Sequence, residues 1–249
     1  MTQLPLDAPC HCASGRDYLH CCGHLDPRIW DENAYGRMPG KLTDPQWAHF
    51  LANEPQCEYL GKRLPPGFLV KELDDSYNWR PLASLLCSQS KAREARTMDE
   101  ESARKSIWRE TEIVDPESSA DSVLELVRTL FRDEAEPFYG RSLRSLETPH
   151  VLRYTVGSYY RPHADSDKLN VDTQRWEKKM DRDLSLLLYL DDDYSGGEIT
   201  FPNFDFKIRP QAGTLLMFPS DCRYLHGVLP VTEGIRHTIV SWCALKARS

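Results

Sequence analysis

The feature that most constrains the fold is the residue pattern after position 148, where short apolar runs alternate with turn signals. The segments between the runs include DDDYSGG, FPN, RPQAG and TEG. Several short strands at this spacing are typical of an all-β barrel or sandwich. We therefore predict strands within VLRYTV, LSLLLYL, EITF, FDFKI, TLLMF, HGVLPV and HTIVSWCAL.

The region before these strands carries helical patterns instead. The segment DPQWAHFLANEP (44–55) fits a short helix, and a longer one is expected between Pro116 and Pro137. In the longer segment the apolar residues recur on one stripe, as they do in a helix that packs on a core. The sequence thus predicts an α+β fold in which helices buttress a β-sandwich. The stripe consists of Val123, Leu124, Val127, Leu130 and Phe131.

Composition narrows the range of partners. The chain has 249 residues, of which 40% are hydrophobic, so it can form a sizeable core. A formal net charge of −7 argues against an overall nucleic-acid footprint, although a local basic patch stays open. No apolar run approaches the ~20 residues of a membrane helix, and MTQLPLDAPC lacks the features of a secretory signal. We expect a cytoplasmic protein without membrane contact.

Four cysteines form a tight group near the start of the chain. Cys10, Cys12, Cys21 and Cys22 follow the pattern C-x-C-x8-C-C in a segment too polar to form an ordinary core. Four thiolates suit the tetrahedral geometry of a structural zinc ion, which would supply the folding energy of the segment. His24 is an alternative to Cys22 as the fourth ligand.

This stretch, CHCASGRDYLHCCG, resembles the SEC-C zinc motif, best known from the C-terminal tail of the bacterial secretion motor ATPase. His11 stands where that family has proline. The resemblance implies a small zinc module at 1–25 that contacts a protein or the ribosome. A linker with a short helix (26–61) and one larger domain (62–249) would follow. The matching residues are Cys10, Cys12, Ser14, Gly15, Tyr18, Cys21, Cys22 and Gly23.

A second group of metal-ligating residues begins in YTVGSYYRPHAD. His163 and Asp165 point to the same side of an extended strand, so both can bind one ion. The downstream candidates for a third ligand are His226 and His237. Strand alternation from Arg236 turns His237 outward, which leaves His226. Two histidines and one carboxylate form the facial triad of non-haem Fe(II) oxygenases, which leaves coordination positions open.

Arg236, Thr238, Val240 and Trp242 share one face of the last predicted strand, and we expect Trp242 to be a core residue. An arginine that points into an apolar barrel needs an anionic partner, and its fork suits a carboxylate. 2-Oxoglutarate fits, because its oxo-acid end chelates Fe(II) while its other carboxylate reaches Arg236. Thr238 is then a candidate cosubstrate contact.

From about residue 62 to 246 the chain resembles the prolyl 4-hydroxylase group of Fe(II)/2-oxoglutarate dioxygenases. Tyr154, Gly157, Tyr160, His163 and Asp165 match the family pattern Y-x-x-G-x-x-Y-x-x-H-x-D without a gap. The segments YLDDDYSGGEITFP and RPQAGTLLMFPSDCRYLHGVLPVTEGIR look like two further segments of the family pattern. The resemblance implies a double-stranded β-helix (jelly-roll) core. It also implies that His163, Asp165 and His226 are the iron ligands and that Arg236 anchors the cosubstrate. By the same resemblance, Tyr154 and Tyr189 lie against the cosubstrate, and Tyr160 lies near the iron and the substrate.

The resemblance also implies the reaction: O2 and 2-oxoglutarate are consumed, a C–H bond is hydroxylated, and succinate and CO2 are released, with ascorbate as a candidate reductant. We expect a prolyl residue of a protein as the substrate, with a component of the translation machinery as a candidate. The alternatives are a free amino acid or small metabolite, and a catalytically silent binding module. The charged segment 166–183 is expected to be a loop that acts as a lid or substrate clamp.

Overall fold

The computed structural model describes residues 54–95, 109–170 and 175–247. The four cysteines of the predicted zinc module and residues 44–53 of the predicted short helix lie outside these ranges. The zinc module therefore stays a prediction.

The described strands are short except for the last one. In chain order they are β1 (Glu58–Tyr59), β2 (Lys62–Arg63), β3 (Leu69–Glu72), β4 (Ala92–Glu94), β5 (Arg109–Glu110), β6 (Glu112–Val114), β7 (Leu143–Leu146), β8 (His150–Tyr154), β9 (Tyr159–His163), β10 (Asp167–Asn170), β11 (Arg175–Lys178), β12 (Leu184–Tyr189), β13 (Tyr194–Gly196), β14 (Ile199–Phe201), β15 (Phe206–Ile208), β16 (Thr214–Pro219), β17 (His226–Val228), β18 (Val231–Gly234) and β19 (Arg236–Leu245).

Two antiparallel sheets form the body of the protein. The eight-stranded sheet has the order β3-β16-β12-β19-β8-β6-β4, with β7 also paired to β19. The five-stranded sheet has the order β15-β14-β17-β9-β5. Strands that are distant in the chain are neighbours in both sheets, which is consistent with the predicted jelly-roll core.

Each apolar run after residue 148 contains a strand, as predicted. The hairpin of β10 and β11, however, occupies part of the segment 166–183, which was expected to be a loop. The hairpin of β1 and β2 spans the predicted domain boundary at residue 61. Most residues of both hairpins are charged or polar, so hydrophobic alternation could not reveal them.

The helices lie on the outer face of the eight-stranded sheet. They are α1 (Trp79–Cys87), α2 (Ala120–Leu130) and α3 (Glu136–Tyr139), and a π-helical segment (Phe131–Ala135) joins the last two. Pro137 therefore lies inside the helical region rather than at its end. The π segment already interrupts the regular i→i−4 bonding ahead of Pro137, which makes the missing N–H easier to accommodate. Leu126, which the predicted stripe omits, is buried, whereas Leu124 is only partly buried.

Strand β19 contributes one face to each of two hydrophobic cores. Ile239 and Cys243 belong to the core between the larger sheet and the helices. Val240 belongs to the core between the two sheets, and Trp242 packs at its edge. The alternation of side chains along β19 thus separates a helix-packed face from the interior face that carries Arg236.

Among the described residues, no helix has the length and apolar character that a membrane crossing requires.

Candidate metal centre and cosubstrate pocket

The smaller sheet brings the two predicted histidine ligands together. His163 ends β9 and His226 begins β17, and the two residues are register partners across this strand pair. The ladder is irregular immediately after His226. Asp165 follows β9, where its backbone N–H donates to the carbonyl oxygen of Ser220 at 3.0 Å. The three residues therefore meet at one end of the smaller sheet.

The three side chains converge on one point. Nε2 of His163 lies 3.6 Å from Oδ1 of Asp165, and Nε2 of His226 lies 3.5 Å from Oδ2 of Asp165. The three potential ligand atoms are all within 4.8 Å of one another. Such separations fit three ligand atoms that share adjacent positions on one ion, each about 2.0–2.2 Å from it.

Backbone carbonyls orient both imidazole rings. Nδ1 of His163 lies 2.9 Å from the carbonyl oxygen of Arg161, and Nδ1 of His226 lies 3.0 Å from that of Tyr224. Because a carbonyl oxygen can only accept, each Nδ1 carries the proton and each Nε2 presents a lone pair toward Asp165. This is the tautomer that a metal ligand requires.

Asp165 is held by two serines that the sequence analysis did not identify. Ser185 Oγ donates to Oδ2 of Asp165 at 2.6 Å and lies 2.8 Å from Ser220 Oγ. All three side chains are buried. Ser185 lies on β12 and Ser220 follows β16, so their proximity depends on strand pairing that no local sequence pattern indicates.

The protonation states also suit a cation. Burial alone would raise the pKa of Asp165, but the neighbouring His226 and His163 outweigh it and hold that pKa far below its ordinary value. Burial is the main cause that lowers the pKa of His226 to about 4, against the opposing influence of the Asp165 carboxylate. Around neutral pH the site therefore offers an ionised carboxylate and a neutral imidazole, the forms that bind metal.

Arg236 is buried in the interior between two tyrosine rings. Its guanidinium carbon lies 4.6 Å from the ring centroid of Tyr154 and 4.8 Å from that of Tyr189. Nη2 donates to the hydroxyl of Tyr189 at 3.2 Å. The arginine is 1% exposed, and its Nε and Nη1 have no hydrogen-bond partner among the described residues.

An unpaired guanidinium of this kind is costly unless an anion occupies the space beside it. Thr238, two residues further on the same face of β19, adds a buried hydroxyl without a partner in the described part of the chain. A carboxylate can accept from both groups, so the residues present fit the carboxylate end of 2-oxoglutarate.

Gly197 allows this pocket to close around Arg236. Its backbone has a φ of +66°, and a Cβ atom there would lie 3.2 Å from Cδ of Arg236 and 3.0 Å from Cγ2 of Val231. In the sequence, a glycine needed for such a close approach looks the same as one needed only for a turn.

Tyr160 covers His163, one of the candidate metal ligands. Its ring stacks on that of His163 with centroids 3.7 Å apart, and the guanidinium carbon of Arg109 lies 4.5 Å from its centroid. Burial raises the pKa of Tyr160 to about 12, so its hydroxyl stays protonated near neutral pH. Tyr160 therefore lies beside the candidate metal centre, where the resemblance implied it.

Trp242 is partly buried and packs at the edge of the core between the sheets. The guanidinium carbon of Arg182 lies 3.9 Å from the centroid of its ring. Arg182 in turn donates to both carboxylate oxygens of Glu147 and to the backbone oxygen of Asp165. Arg182 and Glu147 were not identified from sequence, although alternation from Arg236 places Trp242 on the interior face.

Comparisons with known proteins find similarity in this region. Residues 149–244 match the family model described as "2OG-Fe(II) oxygenase superfamily". Human prolyl 3-hydroxylase 2 is 36% identical over 92 residues, which cover 33% of this chain and 13% of that protein. A putative prolyl 4-hydroxylase of Acanthamoeba polyphaga mimivirus is 32% identical over 106 residues, covering 39% of this chain and 44% of that protein. The chain thus spans less than half the length of these relatives.

A solved structure shares the fold. It is a prolyl hydroxylase from Trichoplax adhaerens in complex with a hypoxia inducible factor oxygen degradation domain peptide fragment. The two align with a TM-score of 0.54 and 19% identity, over 72% of this chain and 83% of that one. The alignment supports the sheet-rich, jelly-roll-like core described above.

Proposed function

We propose that this chain, whose residues 149–244 form a 2OG-Fe(II) oxygenase domain, is a dioxygenase that hydroxylates a prolyl residue of a protein. One observation carries the proposal: the carboxylate–dihistidine group and the buried, partly unpaired Arg236 both contact the core between the two sheets. His226 lies against the rings of Phe201 and Phe218, and Arg236 lies between those of Tyr154 and Tyr189. A purely structural metal site would not explain a buried arginine that lacks an anionic partner.

His163, Asp165 and His226 would hold Fe(II). Hydrogen bonds from the two histidine Nδ1 atoms to backbone carbonyls, and from Ser185 to the carboxylate, would orient the three ligands toward one ion. Three protein ligands leave the remaining coordination positions free for cosubstrates.

Arg236 and Thr238 would bind the remote carboxylate of 2-oxoglutarate, and the rings of Tyr154 and Tyr189 would confine it. Burial raises the pKa of Tyr189 to about 12, so its hydroxyl can donate a hydrogen bond near neutral pH. When bound together, Fe(II) and 2-oxoglutarate supply the O2-dependent oxidation of a C–H bond, with succinate and CO2 as coproducts.

The rim of the site supplies apolar and cationic surfaces. Two aromatic rings next to the candidate metal ligands each carry a guanidinium. Arg109 lies over the ring of Tyr160, and Arg182 lies over that of Trp242. A pyrrolidine ring packs well on aromatic faces, and arginines can bind peptide carbonyls. The names of the similar proteins, prolyl 3- and 4-hydroxylases, support a prolyl substrate.

The predicted zinc module at residues 1–25 would help to find the protein partner. Because the SEC-C resemblance implies contact with protein or the ribosome, we propose a partner from the translation machinery. The zinc ligands Cys10, Cys12, Cys21 and Cys22 would then serve recognition, and the oxygenase domain would carry out the chemistry.

The test combines turnover with product identification. Purified full-length protein should release succinate only when Fe(II) and 2-oxoglutarate are both added, and His163→Ala should abolish this release. Incubation with a cell lysate should then yield protein-derived peptides that are about 16 Da heavier at proline, the mass of one oxygen atom transferred from O2.

Each contrary outcome points to a different alternative. If hydroxylation is found only on small molecules, the substrate is a free amino acid or metabolite. If the protein neither binds Fe(II) nor releases succinate with any lysate fraction, it is a binding module and the proposed function is wrong.

A further inference from the structure

A second group of polar side chains lies directly behind the cosubstrate anchor. His237, on the opposite face of β19 from Arg236, is 4% exposed and is therefore not directed to solvent. Its Nδ1 lies 2.5 Å from Oδ2 of Asp191, and its backbone N–H donates to Oδ1 of the same carboxylate at 2.9 Å. Cys87, the last residue of α1, donates from Sγ to Oδ2 at 3.7 Å.

Cysteine, aspartate and histidine could in principle share a metal ion, but the distances favour hydrogen bonds. Ligand atoms at about 2.0–2.3 Å from one tetrahedral ion lie roughly 3.3–3.7 Å apart. The separation of Nδ1 and Oδ2, 2.5 Å, is too short for two such ligands and fits a proton shared between them. Burial, the larger cause, and the nearby Asp191 raise the pKa of Cys87 to about 12, which keeps its thiol protonated as a donor.

The carboxylate replaces the sheet ladder at the point where the ladder ends. Strand β12 pairs with β19 up to Tyr189 and Thr238. Beyond that pair, the backbone N–H of Leu190 donates to the carbonyl oxygen of His237 at 3.1 Å. The backbone N–H of His237 donates to the Asp191 carboxylate. Both backbone polar groups of the residue after Arg236 are therefore held by the segment that follows β12.

The side chain of His237 depends on the same carboxylate. Its Nε2 is buried and has no hydrogen-bond partner among the residues that the structure describes. Asp191 is thus the side chain that holds both the ring and the backbone N–H of His237, in addition to the Leu190 contact and the pairing of β19 with β8. A shift here would move the beginning of β19, and with it the guanidinium of Arg236, because adjacent residues of a strand cannot move independently.

We infer that Asp191 is a positioning residue for the cosubstrate: it holds the start of β19 so that Arg236 is preorganised to bind the carboxylate of 2-oxoglutarate. This inference rests on the proposed function, which makes Arg236 the anchor. The acidic run 191–193 therefore contains one residue with a structural task toward the site and two, Asp192 and Asp193, whose side chains are exposed.

The experiment compares full-length wild type with Asp191→Ala, Asp191→Asn and the matched control Asp193→Ala. Binding of 2-oxoglutarate to the Mn(II)-loaded protein is measured by calorimetry, and deuterium uptake of peptides that cover residues 235–240 is measured without ligand. Asp191→Ala should weaken 2-oxoglutarate binding about tenfold, the effect of losing one good hydrogen bond. It should also speed exchange near His237 and leave Mn(II) affinity unchanged.

The other variants separate positioning from general damage. Asp191→Asn keeps an acceptor for the His237 backbone N–H but loses the carboxylate that accepts from Nδ1, so it should fall between Asp191→Ala and wild type. Asp193→Ala should match wild type. Unchanged 2-oxoglutarate affinity in Asp191→Ala overturns the inference, and so does a parallel loss of Mn(II) affinity, which would indicate damage to the whole fold.

Failure of the proposed function gives a different result. In that case wild-type protein itself binds no 2-oxoglutarate, whatever the state of Asp191, and the inference is overturned together with the function. If wild type and Asp191→Ala bind 2-oxoglutarate equally well, only the proposed role of Asp191 is overturned.

Discussion

Arg236 and Tyr154 are direct register partners across β19 and β8, and the guanidinium of the arginine lies against the ring of the tyrosine. The position of Arg236, the proposed cosubstrate anchor, is therefore set by the strand pairing itself as well as by side-chain packing. The same pairing leaves Nε and Nη1 of Arg236 directed at no acceptor among the described residues.

The first prediction concerns this unpaired charge. Arg236→Met should weaken 2-oxoglutarate binding at least tenfold, since charge-assisted hydrogen bonds contribute about 1.5–3 kcal/mol. The free energy of unfolding of the ligand-free protein should not fall by more than about 1 kcal/mol, because the substitution removes a buried unpaired charge. Calorimetry with 2-oxoglutarate and urea unfolding measure the two effects.

Arg128→Met, on the exposed side of α2, is the control and should leave 2-oxoglutarate binding unchanged. A large loss of stability in Arg236→Met, with binding retained, would show that the arginine serves the fold and not the cosubstrate.

The second prediction concerns the serine behind the metal centre. Ser185→Ala removes the hydrogen bond to Oδ2 of Asp165 and should lower Fe(II) affinity about tenfold, as loss of an outer-shell partner typically does. Anaerobic metal titration measures this affinity. Ser241→Ala is the matched control, because that buried serine donates to the carbonyl oxygen of Glu147 and not to a predicted ligand. Equal metal affinities in the two variants would contradict the role of Ser185.

The third prediction separates crowding from backbone strain at glycine. Gly197→Ala and Gly140→Ala both force alanine into positive φ, at +66° and +62°, but only the first brings a Cβ atom close to Arg236. Each should lose about 1 kcal/mol of stability from the backbone. Only Gly197→Ala should in addition weaken 2-oxoglutarate binding. Thermal unfolding and calorimetry test the pair, and identical binding in both variants would count against crowding.

The fourth prediction concerns pH. The pKa of His150 lies below its ordinary value of 6.5, and burial is the largest cause. The positive charges of Arg93, Arg109 and Arg182 lower this pKa further, whereas Glu147 opposes them. As the pH falls below 6.5, the unfolded chain binds a proton at this histidine before the folded protein does. His150 therefore makes the free energy of unfolding decrease on acidification, and His150→Gln should lack that contribution.

Urea unfolding at about pH 7.5 and about pH 5.5 tests this expectation. The stability of wild type relative to His150→Gln should be lower at the acidic pH than at the neutral pH. A difference that does not change with pH would mean that the folded and unfolded forms of His150 titrate alike.

Part of the site could be predicted because chemistry and alternation are visible in the sequence. His163, Asp165 and His226 have few alternative uses in that combination, and the period of two from Arg236 identified Thr238. Ser185 and Asp191 could not be found in this way, because each acts on a residue that strand pairing brings close. Likewise, β10 and β11 could not be predicted, because most of their residues are charged or polar and the strands pair through backbone hydrogen bonds.

The division of β19 between two cores restricts how this protein can vary. Substitutions along the strand change one face at a time, whereas deletion of a single residue after Arg236 would exchange the two faces for every later position. Trp242 would then turn toward the helices, and Ile239 and Cys243 toward the space between the sheets. We therefore expect natural diversity in this strand to consist of replacements at constant length, with insertions confined to connections such as the one between β10 and β11.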